Sequence, residues 1–273
     1  MKSVNANGKK NRRLKWNTKC KLCLIPSILG TAVFFVVPYV RVLYYSLIDN
    51  QFRRNFVWFD NYIKTIQNKY FQLALKNSLL LIVIAVPILM VLALLVSLAL
   101  SYGIKWVRKT RFAFVLPLVI PTASIVLIWR SVFADSSSAV PIYLLFIWKN
   151  IGICVVLLTA AFTSIESCVY EAARLDGANS FTLHAKITIP MIAPTIFFTS
   201  LLSIVNSFKI FKESYLFYGT NYPPDHSYTL QYYMNNNFLK LDYQSLATSA
   251  VLTSIIVFVI VMGGMALQRR YRR

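Results

Sequence analysis

Apolar positions in this chain gather into long charge-free runs, at residues 22–40, 77–104, 112–129, 150–165, 187–208 and 243–268. Crossing the hydrocarbon layer takes about 20 apolar residues in a helix, and five of the runs have about that length. The run from 150 is short, but the apolar segment 139–148 precedes it, and joining the two across Lys149 gives a span over 139–163. None of the runs alternates with a period of two, which argues against a β-barrel and leaves helices as the spanning solution. The pattern predicts an all-α polytopic membrane protein with six transmembrane helices, at 22–45, 78–102, 112–133, 139–163, 190–209 and 244–267. The first run has a basic flank, as a signal peptide would, but its apolar core is long and no Ala-x-Ala site follows. Pro38 leads instead into Tyr39, Arg41, Tyr44 and Tyr45, the pattern of an aromatic interface with a snorkelling arginine. It reads as a retained helix.

Composition agrees with the pattern. Of the 273 residues, 57% are hydrophobic and 14% charged, against about 25% charged in an ordinary soluble domain. A water-soluble globule is excluded. The net charge of +20 is polarised along the chain. Residues 1–21 form a basic leader and 268–273 a basic tail; Lys105, Arg108, Lys109 and Arg111 follow the second span, and Arg174 and Lys186 follow the fourth. Positive residues mark the cytoplasmic side, so both termini are expected there. The charge then describes orientation and attraction to anionic membrane lipid, and no nucleic-acid partner is expected.

Several chemistries lack their residues. No Gly-x-x-x-x-Gly-Lys-Ser/Thr or Gly-x-Gly-x-x-Gly motif occurs, so ATP, if it drives this protein, must be bound by another chain. His184 and His226 fall in different loops, and Cys20 and Cys23 have no second pair, so no metal site is expected. With no assembled nucleophile and base, an enzyme is disfavoured and no cofactor is expected.

The loop after the fourth span, 166–190, differs from the rest. Glu171 to Leu175 are good helix formers with an acid at their start. Asp176-Gly177 stops that helix, since glycine takes the positive φ a helix stop requires. Asn179 or Ser180 can cap a second short helix carrying Phe181, Leu183 and Ile187, and Pro190 then opens the fifth span. The expected result is a compact helix–turn–helix with apolar residues that the bilayer does not need, a knob suited to a partner.

Glu171, Ala172, Ala173, Gly177, Ile187, Ile189 and Pro190 resemble, at their fixed spacing, the EAA loop of ABC importer permeases. The resemblance extends over nearly the whole chain. Phe59-Asp60-Asn61-Tyr62, Phe71 with Lys76-Asn77-Ser78, Leu116-Pro117 with Pro121, and Trp129 with Phe133 look like the carbohydrate group, that of the maltose and glycerol-3-phosphate importers. Departures lie in the loops: the connection between the third and fourth spans is brief, the loop after the fifth reads Gly219-Thr220-Asn221-Tyr222-Pro223-Pro224 where Gly-Gly-Pro is common, and the large external domain of the maltose protein is absent. The resemblance implies an ABC type-1 transmembrane domain over 73–267 whose loop 166–190 docks on an ATP-binding subunit. Glu171 would be the polar docking group, Ala172 and Ala173 the close-contact surface, and Asp176-Gly177 the turn, with Ile187 and Pro190 completing the motif. It also implies a second permease subunit, most naturally a different one, and an extracytoplasmic solute-binding protein. Function would be one half of the path of an ATP-driven importer, carrying a sugar by alternating access.

Polar groups inside spans suggest where a solute passes. A lysine at a helix centre costs about 2.5–3.5 kcal/mol on insertion scales. Lys149, with Asn150, therefore either faces a path or subunit interface, or the helix begins near Ile147 and the lysine snorkels outward. Ser203, Asn206 and Ser207 either bind solute hydroxyls or bond helix to helix. Lys209 and Glu213, four apart, are expected to pair within one helix. The aromatic stretch 215–238 suits a delivery protein or the membrane interface. A self-sufficient secondary transporter or channel is the alternative; it would show inverted repeats with paired broken helices, and no such repeat is visible.

Overall fold

The structure, a computed structural model, describes residues 24–101, 111–133 and 138–271. The basic leader, the Cys20–Cys23 pair, the cations at 105–109 and the last two arginines lie outside the described residues. Within them the chain is helical, with one isolated antiparallel bridge between Ile48 and Phe56.

Among the described residues, five helices are long and apolar enough to cross a membrane: α1 (Leu24–Ser46), α3 (Lys69–Ser101), α6 (Val140–Thr163), α8 (Ser180–Ser207) and α11 (Tyr243–Tyr271). The third expected span is not one helix. It is divided into α4 (Arg111–Val119) and α5 (Thr122–Val132). Pro121 sits at the division with ψ 132°, outside the helical region. Its ring and missing N–H disfavour continuation, and the residue before a proline is pushed out of the helical region. Shorter helices are α2 (Asp60–Gln67), α7 (Ser167–Leu175), α9 (Phe211–Tyr218) and α10 (Leu230–Leu239).

One further boundary differs from expectation. Pro190 does not open the fifth span, because α8 already begins at Ser180 and passes through a π-helical turn at His184–Thr188. The amide of Ile189 bonds the carbonyl of His184, and this one-residue expansion makes room for the ring that would otherwise strike the preceding turn. Helix α1 repeats the device, with a π turn at Ala32–Val36 just ahead of Pro38.

Helices α3, α6 and α8 pack together as the centre of the bundle, with α4 on α6 and α1 on α11 at the periphery. The main core joins Leu81, Ala85 and Leu89 of α3 to Leu145, Cys154 and Leu158 of α6, with Val126 of α5 and Phe217 of α9 completing it. Outward-facing Val83, Ile88, Val91 and Leu95 of α3, and Phe34 and Phe35 of α1, stay exposed, as a lipid-facing surface should.

The two ends of the bundle differ. At one, α7 and the start of α8 form the knob. At the other, the segment between α9 and α11 folds over the start of α3. Asn68 caps α3 through the amide of Tyr70 at 2.9 Å. Asn77 donates to the carbonyls of Asp225 and Tyr228, and Ser78 Oγ accepts from the amide of Leu230 at 3.1 Å. Phe71, Ala74, Leu230, Tyr232 and Tyr233 form a second small core beneath this cap. The Asn61 side chain donates to the carbonyls of Ser46 and Ile48 at 3.0 and 2.8 Å, fixing α2 to the end of α1.

Candidate functional site

Two places gather the residues singled out in the sequence. The first is a cleft of about 440 Å³ within the bundle. Helix α6 begins at Val140, so Lys149 lies well inside it and does not mark its start. Its ammonium turns inward, pairing with Glu213 and donating to Thr122 Oγ1 at 3.2 Å. Asn150 donates to the carbonyl of Phe146 at 2.9 Å and accepts from the Asn206 amide at 3.1 Å. Both asparagines line the cleft with Lys149, Lys209 and Glu213.

Breaks in two helices converge on this cleft. Thr122 is the first residue after the Pro121 division. Residues 208–210 separate α8 from α9, with the amide of Lys209 turning back to the carbonyl of Asn206 at 3.0 Å. Irregular backbone at membrane depth is tolerated where it lines a cavity or is buried in protein, and both breaks satisfy that rule. The expected Lys209–Glu213 pair is not formed, because Glu213 starts a new helix and reaches across to α6. Its second carboxylate oxygen, Oε2, is buried without a hydrogen-bond partner. An anion in the first turn of α9 is also favoured by the helix dipole.

Ser203 and Ser207 are not brought to the cleft. Each is buried and bonds back to its own helix, Ser203 to Thr199 O at 2.9 Å and Ser207 to Ile204 O at 2.7 Å. Ser203 also lies 3.5 Å from the Cys154 sulfur on α6. Sequence reasoning missed Thr122 and the true partner of Lys149. A lone cation in a span calls for a counter-charge, and Glu213 is the one acid close after the fifth apolar run.

The second place is the knob. Helix α7 ends in a paired turn: the amide of Gly177 bonds Arg174 O and that of Ala178 bonds Ala173 O, each at 3.0 Å, with Gly177 at φ +81°. This is the Schellman stop, which needs a left-handed residue after the helix. Asn179 then caps α8, accepting from the amide of Thr182 at 2.8 Å. Glu171, Ala172, Asp176, Gly177 and Pro190 are exposed, Ile187 is half-buried, and Ala173 is buried within the chain. Leu175 and Phe181, at 89% and 82% exposure, are the most uncovered apolar side chains of the knob. Behind it lies a hollow of about 410 Å³, lined among others by Ser101, Phe162, Tyr170, Glu171, Arg174 and His184.

Comparison with known proteins accords with this geometry. The chain is 26% identical over 266 residues to the lactose transport system permease LacF of Rhizobium radiobacter, covering 88% of this chain and 89% of that protein. It is 25% identical to the arabinooligosaccharides transport system permease AraP of Bacillus subtilis, over 87% of this chain and 83% of that one. With the osmoprotective compounds uptake permease GgtC of Synechocystis sp. it shares 26% identity over 72% of this chain and 80% of the relative. Its fold is that of a chain in a bacterial ABC transporter importing the acidic polysaccharide alginate, with TM-score 0.73, 21% identity and coverage of 96% and 99%. Residues 77–273 match the family described as binding-protein-dependent transport system inner membrane component. The chain belongs to that family, a multi-pass permease of the bacterial plasma membrane.

Proposed function

We propose that this chain forms one half of the translocation path of an ATP-driven importer of sugars. The observation that carries the reading is the knob, a capped and rigidly turned helix pair that leaves Glu171, Ala172, Leu175, Asp176 and Phe181 uncovered at one end of the bundle. Two exposed apolar side chains flanking a polar turn are what a soluble subunit would cover. A cytoplasmic ATP-binding subunit docks there, with Gly177 holding the turn and Ile187 and Pro190 leading its motion into α8. Nucleotide is bound and hydrolysed on that subunit, and this chain needs no cofactor of its own.

The cleft supplies the path. Asn150 and Asn206 offer amide donors and acceptors suited to hydroxyl groups, and the Lys149–Glu213 pair joins α6 to α9 across it. Rocking of α8 relative to α6 opens the cleft to alternate sides. The names of LacF and AraP support a sugar as solute. A second permease, an extracytoplasmic solute-binding protein and cytoplasmic termini complete the arrangement.

The test is uptake of labelled sugars into proteoliposomes holding this chain, its second permease, the ATP-binding subunit and the solute-binding protein. ATP-dependent uptake that stops when the ATP-binding subunit is left out supports the proposal. Uptake that persists without it, driven by an ion gradient, would identify a secondary transporter instead.

A further inference from the structure

The charges of the cleft do not cancel. Glu213 is the acid in its wall, and it is committed to Lys149, with its side chain 10% exposed and its Oε2 buried. Lys149 keeps 31% exposure. An ammonium carries three donors; Lys149 gives two, to Glu213 and to Thr122 Oγ1, so a third is open to an occupant of the cleft. Lys209 is exposed, lines the same cleft and forms no ion pair among the described residues. An entering solute therefore meets two cations, with their one counter-charge set back behind them.

Groups suited to a saccharide stand beside these cations. Asn206 is half-buried; its amide donates to Asn150 Oδ1 at 3.1 Å and leaves its own Oδ1 open. Lys209 follows at the break between α8 and α9, its backbone amide on the carbonyl of Asn206. The volume of about 440 Å³ falls in the range of about 300–1,000 Å³ usual for small-molecule sites. A neutral sugar would leave Lys209 without a counter-charge beside Phe146, Ile153, Leu202 and Ile210, where an unpaired charge is costly.

Charge at the end of the bundle points the same way. The end opposite the knob faces outward under the positive-inside rule, and outward segments should then be poor in lysine and arginine. Residues 47–76 instead carry five, all exposed, against the two acids Asp49 and Asp60. Asp49 is in turn occupied by the amides of Asn50 and Asn55, at 2.6 and 3.0 Å. Residues 209–242 add cations and acids in equal number, three of each. A surplus of positive charge around a mouth concentrates anions there.

We infer that the solute carries an acidic group, a sugar carboxylate or a sugar phosphate, which Lys209 binds together with the open donor of Lys149 while Asn150 and Asn206 take ring hydroxyls. Lys209 is then the residue that selects for charge. A lysine acts as a point charge and accepts either anion, so the two sources are separated by probes. The inference deepens the importer reading and rests on it for the cleft being the path of a saccharide.

The experiment is equilibrium binding to the full chain, with the membrane subunits that co-purify with it, in lipid nanodiscs without nucleotide. Three probes share one ring: methyl α-galactopyranoside, its 6-carboxylate and its 6-phosphate, each titrated by saturation-transfer NMR. At least one anionic probe should bind about tenfold more tightly than the neutral one, the usual contribution of a hydrogen bond to a charged group. Preference for the carboxylate alone identifies a uronate, and for the phosphate alone a sugar phosphate. Lys209→Gln should abolish the preference and Lys209→Arg retain it; Lys209 is exposed, so both proteins fold. Lys212→Gln, at a neighbouring exposed position outside the cleft, should leave it unchanged. The inference is overturned if no probe binds, if the neutral probe binds as tightly as both anions, if the preference survives Lys209→Gln, or if Lys212→Gln removes it equally. Nucleotide plays no part in this measurement. An anion preference lost in Lys209→Gln upholds the inference even where ATP-driven uptake fails, and ATP-driven uptake with no anion preference rejects it while leaving the importer reading in place.

Discussion

A lysine ten residues into an apolar helix persists only where something offsets its charge, and for Lys149 that is Glu213 with Thr122. Side-chain exposure is 31% for Lys149 and 10% for Glu213, so the pair is partly wetted and worth less than a fully buried one. Breaking a fully buried pair costs about 3–5 kcal/mol, because a charge is left unpaired; for this one Glu213→Leu should cost about 1–3 kcal/mol. Replacing both residues removes the unpaired charge, so Lys149→Leu with Glu213→Leu should recover part of that loss. Thermal unfolding of the parent, Lys149→Leu, Glu213→Leu and the double variant in one detergent measures it. Additive losses with no recovery would mean that the two charges do not support each other. Lys149, Asn150 and Asn206 were singled out from the sequence and line one cleft, but the partner of Lys149 was not legible there. Spacing by four favours Lys209 for Glu213 only if one helix carries both, and the break at 208–210 is a tertiary event that local spacing does not encode.

Turns were more legible than helix boundaries. Gly177 and Asn179 take the stop and cap positions expected of them, because a left-handed residue and an amide cap are requirements of the local backbone alone. A Cβ at Gly177 would meet nothing within 4 Å, so the whole cost of substitution there comes from its φ of +81°. Gly177→Ala should therefore cost about 1–2 kcal/mol, while Gly177→Asn, which tolerates that conformation, should cost less. If the knob couples to an ATP-binding subunit, ATP-dependent uptake falls in the alanine protein and largely returns in the asparagine one at equal amounts in the membrane. Equal uptake by both and by the parent would remove Gly177 from the coupling path. Asn179→Ala should weaken the cap by about 1 kcal/mol, read as faster hydrogen exchange at the Thr182 amide. What local rules did not reveal were the π turns. Proline was expected to begin a helix at Pro190, yet a widened turn carries α8 past it, whereas at Pro121 the same residue type divides the third run. The difference lies in whether the preceding turn can expand, which depends on the packing around it.

Across the whole molecule, the distribution of exposed apolar surface describes a bundle in lipid, and only its orientation is left for charge to specify. No residue of the most apolar window of α1 is buried, and α1 contacts the bundle mainly through α11. It is therefore held by lipid and by the Asn61 bonds to Ser46 and Ile48 more than by a core. The chain enters α3 on the side of the cap and leaves α6 on the side of the knob, so one measurement orients everything. If the positive-inside rule governs this chain, the knob faces the cytoplasm and the loop between α1 and α2 faces outward. Phe52 is 96% exposed and Leu175 89%, which makes each a suitable single cysteine once Cys20, Cys23, Cys154 and Cys168 are replaced by serine or alanine. In intact cells stripped of any outer membrane, a charged thiol reagent should label Phe52→Cys and spare Leu175→Cys; in inverted vesicles the two should exchange. Labelling of Leu175→Cys from outside would place the knob where no ATP is available, and the proposed coupling to an ATP-binding subunit would fail with it.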